Sequence, residues 1–212
     1  MRSTFPQNVL ICGGLLILAV AFPVFGQKFA DPPIDKRPPA DPAFKIADQV
    51  RRGVLDLTKH FLLEMRITSG KEVTYLRSEG DPKMILLVKD AVASFVEKGY
   101  FKYAEELSVS ELLIAVKQDD TDLSIMLSGE LPSEAKARNI VSALNVGNAV
   151  FEQSGKEPEA SYAQKQRALF HKNVSFRAVG KQVEGTFQMR KLEFWSAVVP
   201  EISIERPFHG VQ

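Results

Sequence analysis

The chain has 212 residues, 45% hydrophobic and 25% charged, with 27 Lys and Arg against 26 Asp and Glu. A net charge of +1, with no basic run longer than Arg51-Arg52, excludes the basic surface that phosphate contacts require, so no nucleic-acid partner is expected. The single cysteine, Cys12, excludes an intrachain disulfide framework and a Cys-ligated zinc site.

Arg2 is the one charged side chain before Val9, and Val9 to Phe25 carry no charge. A short basic start followed by an apolar run reads as a secretory signal peptide over residues 1–26. Cleavage is expected after Val24-Phe25-Gly26, with Ala19-Val20-Ala21 as the alternative. An uncleaved anchor is the rival reading. The run is 17 residues long with Pro23 near its end, at the bottom of the spanning range of roughly 17–25. Membrane contact is expected only through this segment, if it stays uncleaved. Cys12 does not fit a lipidation site, because bulky Ile11 precedes it and most of the apolar run follows it. Cleavage removes Arg2 alone and leaves 26 basic and 26 acidic residues with no thiol. The expected location is the periplasm or the exterior of the cell.

Residues 27–42 read QKFADPPIDKRPPADP, with five prolines among sixteen residues. Such a stretch favours stiff, extended conformations and is expected to act as a spacer. The folded region is expected over residues 43–199. Phe44, Ala47, Val50, Val54, Leu57 and Phe61 recur at three and four, predicting a first helix opened by Asp41-Pro42. After about Phe61 the alternation of Leu63, Met65 and Ile67 predicts a strand. A turn at 68–71, a second strand through Val73 and Tyr75, and a helix capped by Asp81-Pro82 follow. That helix presents Met84, Leu87, Val88, Ala91 and Phe95 and stops near Gly99.

The same order returns fifty residues on. Leu112, Ile114 and Val116 alternate, Asp119 to Asp122 turn, and Leu123, Ile125 and Leu127 alternate again. Pro132-Ser133-Glu134 then opens a helix with Ala137, Ile140, Val141, Leu144 and Phe151 on one face. Leu62, Leu63, Ser78 and Pro82 recur as Leu112, Leu113, Ser128 and Pro132. A helix is expected over 159–172, then a third hairpin. There Val174, Phe176 and Ala178 face Val183, Gly185, Phe187 and Met189 across Gly180-Lys181. A short helix from 191 to 199, carrying Leu192, Trp195 and Val199, precedes an irregular tail at 200–212. The expected fold is α+β: antiparallel hairpins in a sheet covered on one face by amphipathic helices. Strand–strand–helix subrepeats are expected at 61–99, 111–155 and 174–199.

Asp119, Asp120 and Asp122 are weak candidates for a metal site, because calcium takes clustered carboxylates. Their loop lacks the glycine and distal glutamate of a calcium loop, and Asp is a favoured turn residue, so no metal is expected. His60, His171 and His209 have no ligand-spaced partner and are expected to be structural or solvated, His171 as a cation at a helix end. Ser133-Glu134-Ala135-Lys136 matches S-x-x-K as a string, but Ser133 stands at a helix start and is expected to cap it. No catalytic residue and no cofactor are expected. Tyr100, Phe101 and Tyr103 form the densest aromatic patch and are the candidate ligand-binding residues.

From about Ser110 to Val199, the segments LSGELPSEAKARNIVSALN and VSFRAVGKQVEGTFQM resemble poorly characterised secreted bacterial α+β proteins. The resemblance implies no activity. The expected function is that of an exported, non-catalytic binding or envelope-associated protein. Its partner would be an envelope protein, a glycan or a lipid, met by the open sheet face or an aromatic-lined cleft. A hydrolase acting outside the cytoplasm and a structural subunit assembling through a sheet edge are the alternatives.

Overall fold

The computed structural model describes residues 42–68, 72–97, 109, 111–160 and 162–199. In chain order these form α1 (Pro42–Arg51), β1 (Phe61–Thr68), β2 (Val73–Gly80), α2 (Pro82–Glu97), β3 (Glu111–Gln118) and β4 (Asp122–Glu130). There follow α3 (Glu134–Ser154), α4 (Tyr162–Lys172), β5 (Val174–Val179), β6 (Gln182–Arg190) and α5 (Lys191–Val198). All three hairpins share one antiparallel sheet of six strands in the order β2-β1-β3-β4-β6-β5. The expected α+β class holds, and the helices lie on one side. Helix α2 packs on β1 and β2, α3 on β5 and β6, and α5 on β4 and β6, while α4 packs on α3.

Period-2 patterning explains the layering. In β1, Phe61, Leu63, Met65 and Ile67 are buried while the residues between them are only half-buried. In β6, Val183, Phe187 and Met189 do the same opposite Gly129, Ile125 and Leu123 of β4. Side chains of one parity form the core under the helices and those of the other parity form the outer face. An aromatic cluster of Phe170, Phe187, Phe194 and Trp195 fills the core under α5, with tilted or edge-on contacts at centroid distances of 5.0–6.3 Å.

Two expectations about helices need correction. The first helix stops at Arg51 rather than running towards Phe61. Gly53 adopts φ 68, its N–H bonds Val50 O, and Asp56 caps the N–H of Thr58 at 2.9 Å, so the chain turns. Leu57 still reaches the core from a turn and Phe61 from the start of β1, whereas Val54 is exposed. In α5, Leu192 points outward, and Phe194 is buried beside Trp195.

Two caps agree with expectation. Asp81 Oδ1 accepts from the N–H of Lys83 and Met84 at 3.0 and 2.9 Å, and Ser133 Oγ from the N–H of Lys136 at 3.2 Å. Lys136 thus meets Ser133 through its backbone, which makes the S-x-x-K string a helix cap. Gly80, between β2 and α2, has φ 94, and a Cβ there would lie 2.8 Å from the Phe61 Cα and closer still to the His60 carbonyl oxygen. Both neighbours are backbone and cannot swing away. Gly80→Ala is therefore expected to lower stability by more than about 2 kcal/mol. Urea denaturation checks this; a loss under about 0.5 kcal/mol, the range of an ordinary surface change, would contradict it.

Candidate functional site

No described helix or loop covers the outer face of the sheet. Five inter-strand spacings make it about 24 Å wide, and eight residues of strand about 26 Å long. Its middle is apolar. Register places Ala115 of β3 beside Met126 of β4, and Leu113 one pair along. Leu76 joins them from β2, where a bulge between Glu64 and Met65 gives β2 one extra residue. Leu76, Leu113 and Met126 are 50%, 43% and 53% exposed, although each could have been polar without cost to the core. Together with Glu64, Arg177, Glu184 and Thr186 they line a shallow depression of ≈ 400 Å³. A second depression of ≈ 490 Å³ shares Met126 and Thr186 and continues to Lys172, Ser124 and Gln188.

The rim is charged and self-neutralising. Arg77 donates to Glu79 through two nitrogens at 2.7 and 3.0 Å. Arg177 pairs with Glu184, and Arg66 approaches Glu111 at 3.6 Å. The Arg77 guanidinium holds the Glu79 carboxyl below its ordinary range. Such pairs add little stability at the surface, but their opposite charges largely cancel one another's field.

The candidate metal residues diverge. Asp119 Oδ1 accepts the N–H of Thr121 and Asp122 at 3.1 and 3.0 Å, and those two bonds hold its carboxyl down at about 2. Asp120 Oδ1 meets His60 Nε2 at 2.8 Å, and Asp122 Oδ2 accepts from Gln188 Nε2 at 2.9 Å. The cluster is a turn whose carboxylates serve three different partners. Among the described residues no three His, Cys, Asp or Glu side chains gather as a metal site. The His60–Asp120 pair is solvent-exposed and lines neither depression. The candidate ligand residues Tyr100, Phe101 and Tyr103, and also His209, lie outside the described residues.

Two buried polar clusters were not expected. Gln118 stands at an inward position at the end of β3. Its Nε2 donates to Leu57 O and Lys59 O at 2.8 and 2.7 Å, and its Oε1 accepts from Trp195 Nε1 at 2.8 Å. Beside it, Lys191 Nζ donates to Thr58 O and Asp119 O at 3.0 and 2.9 Å. The second cluster holds His171, which stacks on Phe151 at 4.5 Å between ring centroids. His171 Nδ1 lies 2.8 Å from Asn148 Oδ1, whose amide donates to Val174 O at 3.4 Å. With that amide nitrogen committed as donor, Oδ1 is an acceptor and the ring proton belongs on Nδ1. Burial, helped by nearby Arg167, pushes His171 down to about 4. It is therefore a neutral core residue at neutral pH, which corrects the expected helix-end cation. Both clusters tie buried side chains to backbone carbonyls, and Gln118, Lys191, Trp195, Asn148 and His171 line neither depression of the outer face.

A third groove, of ≈ 450 Å³, lies between α1 and α2 and is lined mainly by aliphatic side chains such as Ile46, Leu55 and Leu87. It is the most apolar of the three, but Lys83 and Asp90 stand among its lining residues without a shared focus. Compared with known proteins, the chain matches no family profile, curated protein or solved structure. No described helix is long and apolar enough to cross a membrane.

Proposed function

We propose that this chain is an exported, non-catalytic binding protein that engages an envelope protein across the open face of its sheet. The carrying observation is the contiguous Leu76, Leu113, Ala115 and Met126 surface, left uncovered by the described residues and ringed by charges that neutralise one another. An apolar centre inside a polar rim is the anatomy of a protein interface. The face offers on the order of 600 Å², a little below the ~800 Å² per partner of a standard interface. A glycan is a poorer fit, because saccharides stack on aromatic rings and the described outward-facing positions of β3, β4, β5 and β6 hold none. A lipid tail is a poorer fit because the depressions are shallow and edged with ion pairs. Export rests on the uncharged leader at 9–25 behind Arg2.

Site-specific photo-crosslinking in cells tests this reading. A crosslinker at Leu113 or Met126 is expected to trap one discrete partner, and one at Val146, exposed on α3 on the helix side, to trap none. Equal capture from both sides would count against the open face. Folded protein recovered from the cytosol with residues 1–26 intact would count against export.

A further inference from the structure

The two edges of the sheet are treated differently. Backbone bonds fix which groups point outward at each. At one end, Gln188 N–H donates to Asn173 O at 3.2 Å, so odd-numbered residues of β5 face β6, and Val174, Phe176 and Ala178 turn their N–H and C=O groups outward. There α3 intervenes. Asn145 Nδ2 donates to Phe176 O at 3.1 Å, Asn145 Oδ1 accepts from Phe176 N–H at 3.3 Å, and Asn148 Nδ2 donates to Val174 O. One side-chain amide thus takes the place of a neighbouring strand at the middle of the β5 edge.

At the other end, Asp81 N–H donates to His60 O at 2.9 Å and Thr68 N–H to Glu72 O at 3.1 Å. With the pairing of Leu63 to Ser78 and Phe61 to Gly80, this phase turns Ser78 and Gly80 outward. From Thr74 to Gly80 every residue of β2 is exposed, and no described residue pairs with its outer side. The strand contains no proline and no lysine. Its two charges, Arg77 and Glu79, flank Ser78 on the open face, two residues apart and opposite in sign.

We propose that two copies of this chain join through β2, antiparallel about a two-fold axis at Ser78, into one continuous sheet of twelve strands. In this register Ser78 of each copy exchanges N–H···O=C bonds with Ser78 of the other, which its outward phase permits. Arg77 then faces Glu79 of the second copy and Glu79 faces its Arg77, so the four charges alternate across the axis. Moving the axis by one residue either way would set Arg77 or Glu79 against itself, which is repulsive. The interface is isologous and closes after two copies. It is also small, at the low end of known interfaces, so the dimer is weak, with a Kd of about 10–100 µM. Pairing doubles the open face without covering it.

Sedimentation of the purified full chain across that concentration range is expected to show a monomer–dimer equilibrium that weakens with salt. Ser78→Pro removes only an outward N–H, a place where edge strands accept proline. It is expected to leave the melting temperature nearly unchanged and raise Kd more than about tenfold. Arg77→Glu is expected to abolish the dimer. Arg77→Glu combined with Glu79→Arg restores opposite charges across the axis and is expected to restore it. The charge pair decides the matter if the proline variant folds poorly. A monomer at every concentration, a dimer indifferent to these changes, or a charge swap that fails to rescue would each overturn the proposal.

Discussion

Gln118→Ala is expected to lower folding stability by about 4 kcal/mol. The side chain is 1% exposed and holds three partners at once. Truncation orphans two carbonyl oxygens and the indole N–H, each costing about 1–3 kcal/mol, less what entering water recovers. The turn from Leu57 to Lys59 also comes loose, since Gln118 and Lys191 are what hold its three carbonyls. Gln118→Leu preserves volume but satisfies none of the three, so it should fare little better. The single tryptophan, Trp195, sits in this cluster and reports unfolding in urea directly. A double-mutant cycle with Trp195→Phe should give a coupling energy above about 0.5 kcal/mol. A Gln118→Ala protein as stable as the parent would show that the cluster is ornamental.

Acid is expected to cost about 3 kcal/mol through His171 alone. The imidazole falls from an ordinary 6.5 to about 4 in the folded chain, and each unit of difference is worth about 1.4 kcal/mol. Because the folded value is the lower one, the unfolded chain binds the proton first. The stability linked to neutral His171 is fully present above pH 6.5 and drains away as pH falls towards 4. Protonation places a charge against Phe151 inside the α3–α4 contact, where Asn148 can accept only one proton. Denaturation at a series of pH values should show this slope, and His171→Gln should flatten it over the same window. A parent and variant with parallel curves between pH 6.5 and 4 would refute the assignment.

The strands were legible because one-sided burial imposes a period of two, and Val183, Gly185, Phe187 and Met189 display it without interruption. Their order was not. Long connections, residues 81–110 and 131–173, separate the three hairpins, and nothing local tells β1 to lie beside β3. The helix boundaries show how periodicity misleads. Val54, Leu57 and Phe61 keep the helical phase, yet Gly53 has already turned the chain. A signal for the buried polar residues was present. Gln118 stands in phase with Leu112, Ile114 and Val116, and Asn148 in phase with the Ala137–Leu144 stripe of α3. A polar residue on an apolar parity is expensive unless partnered, so each pointed to a partner that only the tertiary structure could name. The open-face patch was hidden for the opposite reason. Leu76 faces outward only because of the bulge, and bulges leave no local mark here.

The amide lock of Asn145 has a consequence for growth in one dimension. A sheet with two bare edges can add copies head to tail without end, each addition exposing the edge that accepts the next. Here the middle of one margin already has its bonds supplied from within, at Phe176 and the Val174 carbonyl, so a chain that docks by its other margin meets a blocked edge beyond. The same asparagine that finishes the fold thereby separates a finite pair from a fibre.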